Sequence, residues 1–480
     1  MKKYFLTFII ACLFISCADD DKYERLNQDP KNPTEVSEDF LFTSATVSLG
    51  DFMASPNVNI NVFRFISQYL TATTYVDEPN YALTNRNVPQ SQWSELYRDV
   101  LLDLEDAKSN VNENELLTQP DKDARLGQIE VLQVYTWQVL VDTFGDIPYT
   151  EALQGEADNF LPVYDDAETI YVNLIERLQN ARTLLSSGKG FAGADVIYGG
   201  DMSKWSKFNN SLQLRLAMRI SDSNSSLSQS AAEDAASNGV FTGNQDNAII
   251  VYQSSPPNTN PLWEDLVQSG RSDYVAANTI VDIMNDLDDP RRMYYFDENL
   301  GDGVYEGGIY GSQNPYNSST HMVESFLDPA HPGILLDFAE VSFHLATATS
   351  TDLNYDVFGN ASTHYENGIT ASMNYAGIDD QDAIDDYLNR PDVFYDSANS
   401  NALIGTQFWI AMYDNPIEGW SVWRKYDEPT LNLPGSTGNP VPLRYTYPIN
   451  EQNLNEANYN AASQAIGGDS QQTRLFWDVN

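Results

Sequence analysis

The stretch Gln128–Leu153, QIEVLQVYTWQVLVDTFGDIPYTEAL, decides the fold. Nothing between Leu126 and Phe144 breaks a helix, and Gly145 is expected to supply a left-handed stop. Apolar residues occupy more than one face of this helix, so other elements should cover most of its sides. Pro148 disfavours helical backbone in the residue before it, so the chain should leave in an extended form. The stretch therefore predicts a central helix surrounded by other helices.

Three more long segments carry apolar residues at helical spacing, and they are Ser91–Val111, Asp166–Leu185 and Met202–Ser221. Short loops join these segments, which favours stacked antiparallel hairpins in a short α-solenoid. The predicted fold is therefore mainly α, with no clean repeat of fixed period.

Several side chains on these helices are interpreted as structural. Trp93, Trp137 and Trp205 lie at apolar positions of the helical pattern and are assigned to the core. Arg215 and Arg219 stand four residues apart on one helix face. In so acidic a chain we expect both arginines to pair with carboxylates.

The sequence becomes irregular beyond Gly239. Shorter elements are predicted on both sides of the long helices: helices at Val36–Phe52, Val62–Leu70, Trp263–Val267, Ala276–Leu287, Pro332–Ala348 and Tyr365–Tyr375, and a strand-like run at Ala248–Tyr252. The segment Asp297–Ser319 is rich in Gly, Asn and Tyr, which predicts irregular structure. The second part of the chain is therefore expected to be rich in loops.

Net charge and aromatic content restrict the classes of function that the chain could have. The 480 residues include 26 Lys and Arg against 69 Asp and Glu, a formal net charge of −43. This charge argues against nucleic-acid binding, which depends on neutralising phosphates. Solubility explains the acidity in the simplest way, and a specific cationic ligand is the alternative. The aromatic content of 12% argues against disorder.

The N-terminus resembles that of a bacterial lipoprotein. Residues 1–16 are predicted to be a signal peptide, with Lys2 and Lys3 before a short apolar run. The segment LFISC, residues 13–17, resembles a lipobox, so Cys17 is the predicted lipidation site. Residues 17–33 would form a lipidated and acidic tether to the membrane. An ordinary secretory signal with an incidental cysteine is the alternative.

Motifs for enzymatic chemistry are missing from the sequence. Neither a nucleophile elbow, a phosphate-binding glycine loop nor a zinc-protease motif is present. His321 and His331 flank Glu324 and Asp328, so a metal site in that loop is an alternative. We predict no catalytic residue, no metal and no cofactor.

Motifs along nearly the whole chain resemble those of the SusD/RagB family of nutrient-binding outer-membrane lipoproteins. The matching segments are LNQDPKNPT (26–34), DTFGDIPYTEAL (142–153), PVYD (162–165), IGTQFWIA (404–411), RYTYPINEQNLN (444–455) and FWD (476–478). The resemblance implies tetratricopeptide-like helical hairpins and a lipid-anchored protein on the cell exterior. It also implies capture of an oligosaccharide or peptide, without catalysis, for a SusC-like TonB-dependent transporter.

The resemblance also implies the domain organisation. Residues 34–480 would form a single SusD-like domain. The helical scaffold would occupy about 36–240 and 332–376, and the ligand side about 248–330 and 385–480. A secreted carbohydrate-active enzyme and a helical-repeat scaffold for binding proteins remain the alternatives.

Loop aromatics are the predicted ligand contacts, because helical aromatics are committed to the core and a Tyr or Trp ring offers a flat apolar face with a polar tip. The candidates are Tyr75, Tyr81, Trp263, Tyr274, Tyr305, Tyr310 and Tyr316, with Asp77, Asn85, Arg86 and Asn314 as hydrogen-bonding groups. We expect an aromatic from the early loop and one from the middle segment to line a shared site. Trp263 and Tyr81 are the foremost candidates.

Overall fold

The computed structural model describes residues 36–155 and 159–479. The predicted signal peptide, Cys17 and the acidic tether lie outside the described residues. Within the described ranges, the helices are all too short or too polar to cross a membrane.

The first half of the chain is helical. Its helices are α1 Glu38–Ala54, α2 Phe63–Ile66, α3 Val88–Ser94, α4 Asp103–Glu113, α5 Gln119–Phe144, α6 Ala167–Leu184, α7 Met202–Arg219 and α8 Ser225–Ser237. Successive helices pack on one another, α5 on α6, α6 on α7 and α7 on α8. The prediction of a mainly α fold is confirmed.

The second half alternates short helices with irregular segments. Its helices are α9 Pro261–Trp263, α10 Asn278–Asp286, α11 Arg292–Tyr295, α12 Phe338–Ala348, α13 Ala361–Ala376, α14 Gln381–Leu388, α15 Ser400–Ala411, α16 Pro416–Tyr426, α17 Ile449–Leu454 and α18 Glu456–Ala465. Single 3-10 turns occupy Ala192–Ala194, Asn244–Asp246, Tyr316–Ser318, Glu324–Leu327, Ser397–Asn399 and Met412–Asp414.

Two antiparallel strand pairs complete the described fold. Strand β1, Leu70–Ala72, pairs with β3, Tyr274–Ala276. Strand β2, Ala248–Ile250, pairs with β4, Gly333–Leu336. Both pairs join residues that are far apart in the sequence.

Helix α5 is the buried centre that the opening stretch predicts. Apart from Glu130, every residue from Gly127 to Phe144 is buried. The helix starts earlier than expected, because the Thr118 side chain accepts a hydrogen bond from the Asp121 amide and caps it. Gly145 ends the helix with a φ of 83° and a ψ of −125°, which is outside the left-handed helical region that we predicted.

Four expected helices differ in the structure. Trp263–Val267 is α-helical only at Trp263, the last residue of α9, and continues as a π-helix over Glu264–Gln268. Val62–Leu70 is helical only in α2, because Gln68 has a positive φ and Leu70 joins β1. Pro332–Ala348 divides into β4 and α12, since a short apolar run does not distinguish strand from helix by periodicity. An eight-residue π-helix, Glu95–Leu102, joins α3 to α4 within the predicted segment Ser91–Val111.

Buried ion pairs join helices from both halves of the chain. The Arg215 guanidinium lies 2.5 Å from the Glu340 carboxylate of α12. Arg219 forms an ion pair with Glu418 of α16, and its Nε lies 3.4 Å from Asp142 of α5. The predicted pairing of both arginines with carboxylates is therefore confirmed. Trp93, Trp137 and Trp205 are also buried, as expected.

Candidate ligand-binding cleft

The β1–β3 ribbon brings two distant loops together. Ala72 of β1 pairs with Tyr274 of β3. Beyond the strands, the Thr73 amide donates to the Asp273 carbonyl over 2.8 Å, and the Thr73 hydroxyl donates to the Ser272 carbonyl over 2.8 Å. The loop that follows β1 therefore lies beside the segment that precedes β3.

A cleft with two lobes opens at this junction. The first lobe has a volume of about 250 Å³ and includes Tyr75 and Arg86 of the early loop. The second has a volume of about 430 Å³ and includes Trp263 and Tyr316 of the middle segment. Arg271 and Tyr274 line both lobes, so the two lobes adjoin each other and are described together as one cleft.

Tyr75 presents its ring in the first lobe. It is 57% exposed, and the Arg86 guanidinium lies 5.5 Å from the ring centroid. The Arg86 Nε in turn donates to the buried Glu78 carboxylate. A cation over one ring face stabilises the ring orientation. This contact favours one orientation of the Tyr75 ring, which is otherwise largely in solvent.

The second lobe contains a stacked pair. The rings of Tyr316 and His321 are 3.8 Å apart at their centroids and nearly parallel, with an interplanar angle of 22°. Because a carbonyl can only accept, the His321 Nε2–H donates to the Tyr316 carbonyl over 2.9 Å. Tyr274, which both lobes share, packs edge-on against the buried Phe65 at 5.3 Å.

Carboxylates dominate the charge of the cleft. Its described lining residues include six carboxylates and only two guanidinium groups. The carboxylates are Glu78, Asp265, Asp273, Asp297, Glu324 and Asp328. Burial raises the pKa of Asp265, although nearby Arg271 opposes the shift. Such a lining repels anionic ligands and suits neutral or cationic ones.

Five of the sequence-predicted residues line this cleft, namely Tyr75, Arg86, Trp263, Tyr274 and Tyr316. The early loop and the middle segment therefore do share a cavity. Asp77 and Asn85 are exposed on the early loop and do not line the cleft; the Asn85 amide donates to the Asp77 carboxylate over 3.2 Å. Whether any of these residues contacts a ligand stays a prediction.

Three predicted ligand contacts do not line the cleft, and they are Tyr81, Tyr310 and Asn314. Tyr81 is 4% exposed and Tyr310 is 1% exposed, and their rings pack together beneath the ribbon. The Tyr310 hydroxyl donates to the Phe65 carbonyl over 2.6 Å, and the Asn314 amide donates to the Ala72 carbonyl over 3.1 Å. These three side chains support the ribbon from inside the fold and offer no surface to a ligand.

Tyr305 is also buried, and it lies outside the cleft. Its hydroxyl donates to the Glu298 carboxylate over 3.3 Å, and its ring packs against Phe296. The glycine-rich segment therefore contributes only Tyr316 to the lining from the predicted set.

Arg271, Asp265, Asp273 and His321 line the cleft but were not among the predicted contacts. The sequence could have indicated Arg271 as a ligand contact, because it is a cation in a polar loop of a strongly acidic chain. Asp265 and Asp273 are not distinguishable in the sequence, since Asp and Glu are abundant throughout, and His321 is indicated there only as a possible metal ligand.

The histidine-bearing loop does not assemble a metal site. His331 Nε2 lies 2.8 Å from Asp414, whereas His321 stacks on Tyr316. Over residues 36–155 and 159–479, we find no group of three or more His, Cys, Asp or Glu that could hold a metal ion.

Comparisons with known proteins now identify the fold. Among solved structures, a "chitin-binding protein" is 26% identical with a TM-score of 0.80, covering 92% of this chain and 100% of that chain. A "chitin-binding SusD homolog" from Flavobacterium johnsoniae is 24% identical with a TM-score of 0.76, covering 92% and 98%. A SusD homolog from Bacteroides uniformis is 24% identical with a TM-score of 0.78, covering 92% and 100%.

Because the last two structures are only 24% identical to this chain, their similarity is evidence for the fold alone. A search of curated protein sequences finds no match. A SusD-like family model, described as "Starch-binding associating with outer membrane", matches residues 30–448. Because this match spans most of the sequence and the structural likeness spans nearly all of it, the chain belongs to the SusD-like family of glycan-binding proteins associated with the outer membrane.

Proposed function

We propose that this protein captures a neutral or amino-sugar oligosaccharide in the cleft and delivers it to a SusC-like TonB-dependent transporter. The observation that carries the ligand proposal is the lining of the cleft, in which aromatic rings from two distant loops lie among predominantly acidic side chains. Sugars stack their apolar faces on such rings and use their edges for hydrogen bonds. The protein acts by binding and not by catalysis.

The negative charge of the cleft determines which glycans can bind there. Its carboxylates repel polymers of uronic acids and leave neutral glycans unaffected. Glucosamine units, which carry ammonium groups, gain a favourable interaction. The units of chitin carry neutral acetamido groups, so similarity to a chitin-binding protein supports a neutral, N-acetylated amino-sugar glycan. An oligopeptide rich in Lys or Arg is the second candidate, because the same carboxylates would attract it.

The aromatic residues of the cleft provide the first test. Trp263→Ala and Tyr75→Ala should each weaken binding by about 1–3 kcal/mol, as is typical for an aromatic contact at the centre of an interface. Calorimetry would use chitohexaose, a chitosan hexamer, maltohexaose and a galacturonic-acid hexamer. We expect one or more of the first three to bind, and the anionic hexamer not to bind.

Phe394→Ala is the matched control, because Phe394 is 58% exposed and does not line the cleft. This variant should bind with unchanged affinity. Full affinity in both Trp263→Ala and Tyr75→Ala would contradict the cleft as the binding site. Cleavage of a hexamer by the purified protein would instead support the carbohydrate-active enzyme, and tight binding to a protein without glycan binding would support the protein-binding scaffold.

Anchoring at Cys17 is the second test. We propose that acyl chains on Cys17 hold the protein at the outer membrane, where more than one chain gives stable attachment. The sequence LFISC, followed by Ala18 and three aspartates, supports this proposal. Cys17→Ala should move nearly all of the protein from the membrane fraction to the soluble fraction. Mass spectrometry should find lipid on the mature N-terminus, and an unmodified N-terminus at another residue would contradict the proposal.

A further inference from the structure

The two lobes of the cleft differ in their chemistry. Most residues that line the second lobe are apolar or aromatic, and they include Trp263, Leu266, Val267, Met322 and Leu327. The first lobe is smaller and more polar, and Val58 is the only aliphatic side chain among its described lining residues. Three carboxylates and two guanidinium groups line the first lobe. The two lobes should therefore bind different parts of one ligand.

Two of the three carboxylates in the first lobe are already paired with a cation. Glu78 is 1% exposed and accepts a hydrogen bond from the Arg86 guanidinium. The Asp273 carboxylate lies 3.5 Å from the Arg271 guanidinium. The third carboxylate belongs to Asp265, which is partly buried and accepts no side-chain hydrogen bond from any residue that the structure describes. Asp265 is therefore the acceptor that is available to a ligand.

Arg271 supplies a donor next to this acceptor. Its side chain is 65% exposed, and its guanidinium donates no hydrogen bond within residues 36–155 and 159–479. The backbone around it is fixed, because the Arg271 amide donates to the Ser269 hydroxyl over 3.3 Å and that hydroxyl donates to the Asp265 carbonyl over 2.5 Å. The acceptor and the donor therefore belong to one short segment that its own hydrogen bonds hold together.

A turn from the first part of the chain contributes the apolar side chain. The Asn57 side chain accepts from the Asn59 amide over 3.0 Å, and the Asn57 carbonyl accepts from the Ile60 amide over 2.8 Å. Val58 lies in this turn, packs partly against the core and lines the first lobe. A small apolar group of a ligand can therefore be buried beside the polar groups of the lobe.

The charges of the first lobe favour an uncharged group. Its three carboxylates repel a ligand carboxylate. An ammonium group would be attracted to Asp265 but repelled by Arg86 and Arg271. An acetamido group is neutral, donates through its N–H, accepts through its carbonyl and carries a methyl group. It therefore matches the acceptor, the donor and the apolar side chain at the same time.

We propose that the first lobe is the subsite for an acetamido group of the glycan. Asp265 accepts from the N–H, Arg271 donates to the carbonyl, and Val58 contacts the methyl group. Asp265 and Arg271 then determine specificity for N-acetylated sugars, whereas the second lobe stacks sugar rings on Trp263. This inference rests on the proposed function, because that function supplies the glycan.

Two oligosaccharides that differ only at carbon 2 of each sugar test the subsite. Chitopentaose carries acetamido groups where cellopentaose carries hydroxyl groups, on the same β-1,4-linked backbone. Calorimetry on the full-length protein in detergent should show that chitopentaose binds on the order of tenfold more tightly, as expected for a hydrogen bond to a charged group. Asp265→Ala should reduce this ratio to about one. Arg271→Ala, at an exposed side chain that the fold does not need, should also reduce it.

Trp263→Ala and Asp302→Ala are the matched controls. Trp263 lines only the second lobe, so Trp263→Ala should weaken the binding of both pentamers and leave their ratio unchanged. Asp302 is exposed and does not line the cleft, so Asp302→Ala should change neither affinity.

The outcomes separate the subsite from the proposed function. Equal affinity of the wild-type protein for both pentamers, or an undiminished ratio in both Asp265→Ala and Arg271→Ala, would overturn the acetamido subsite and leave the cleft as the binding site. A larger loss for a chitosan pentamer than for chitopentaose in Asp265→Ala would also overturn it, because the occupant would then be an ammonium group. A wild-type protein that binds maltohexaose but neither pentamer would overturn the subsite alone, whereas one that binds no glycan would contradict the proposed function itself.

Discussion

Arg215→Met is expected to lower the free energy of unfolding by about 3–5 kcal/mol, the usual cost of leaving one charge of a buried ion pair without its partner. Arg215 and Glu340 are both fully buried, and two hydrogen bonds of 2.5 and 2.8 Å join them. The guanidinium also donates to the Leu335 carbonyl over 2.8 Å. Methionine nearly preserves the volume of the side chain, so the expected loss arises from charge and not from a cavity.

A double variant separates the ion pair from the packing. Glu340→Leu alone should cost a similar amount, because it leaves the Arg215 guanidinium with only the more distant Glu418, at 3.6 Å. Arg215→Met combined with Glu340→Leu removes both charges and should cost much less than the sum of the single substitutions. Denaturant unfolding followed by circular dichroism at pH 7 measures all three. A loss below about 1 kcal/mol in Arg215→Met would contradict this account.

Asp337→Asn is expected to stabilise the protein at alkaline pH. Burial raises the pKa of Asp337 from 3.8 to about 7, and the nearby carboxylates of Glu340 and Asp414 act in the same direction. The Glu340 amide and Arg215 oppose the shift but do not overcome it. The folded protein therefore holds this proton more tightly than the unfolded chain does.

The sign of the pH dependence follows from that difference. Below about pH 4 the Asp337 carboxyl is protonated in both the folded and the unfolded state, so its ionisation does not lower the free energy of unfolding. Between about pH 4 and pH 7 the unfolded chain loses the proton first, so the wild-type protein loses stability as the pH rises. A shift of about three pKa units corresponds to at most about 4 kcal/mol, all of it lost above pH 7.

Asparagine removes the ionisation and keeps the cap. The Asp337 side chain accepts from the Glu340 amide over 2.8 Å at the start of α12, and asparagine caps a helix equally well. Asp337→Asn should match the wild type near pH 4 and exceed its stability by about 2–4 kcal/mol at pH 8. Thermal and denaturant unfolding at both pH values measure the difference. Asp302→Asn, at an exposed carboxylate, is the control, and a stability gain that does not depend on pH would refute the explanation.

The sequence by itself determined that a central helix is buried and that two arginines of another helix pair with carboxylates. An apolar pattern on more than one face of a helix requires cover on every such face, and α5 is buried accordingly. Arg215 and Arg219 needed carboxylates in an acidic chain, and the structure pairs both. Motifs distributed along the chain also indicated the family that the family model confirms.

Only the tertiary structure decided which loop aromatics are accessible. Tyr75 and Tyr81 lie in one polar loop, and local sequence gives both the same character. The β1–β3 pairing turns the loop so that Tyr75 lines the cleft and Tyr81 packs on Tyr310 below it. That pairing joins positions about two hundred residues apart, and a three-residue strand carries too little periodicity to indicate its partner.

The same reason applies to the rest of the site. Arg271 lies in the cleft because β3 places its loop beside the loop that follows β1. Local pattern determines what each helix must bury, whereas contacts between distant segments determine which side chains remain at the surface.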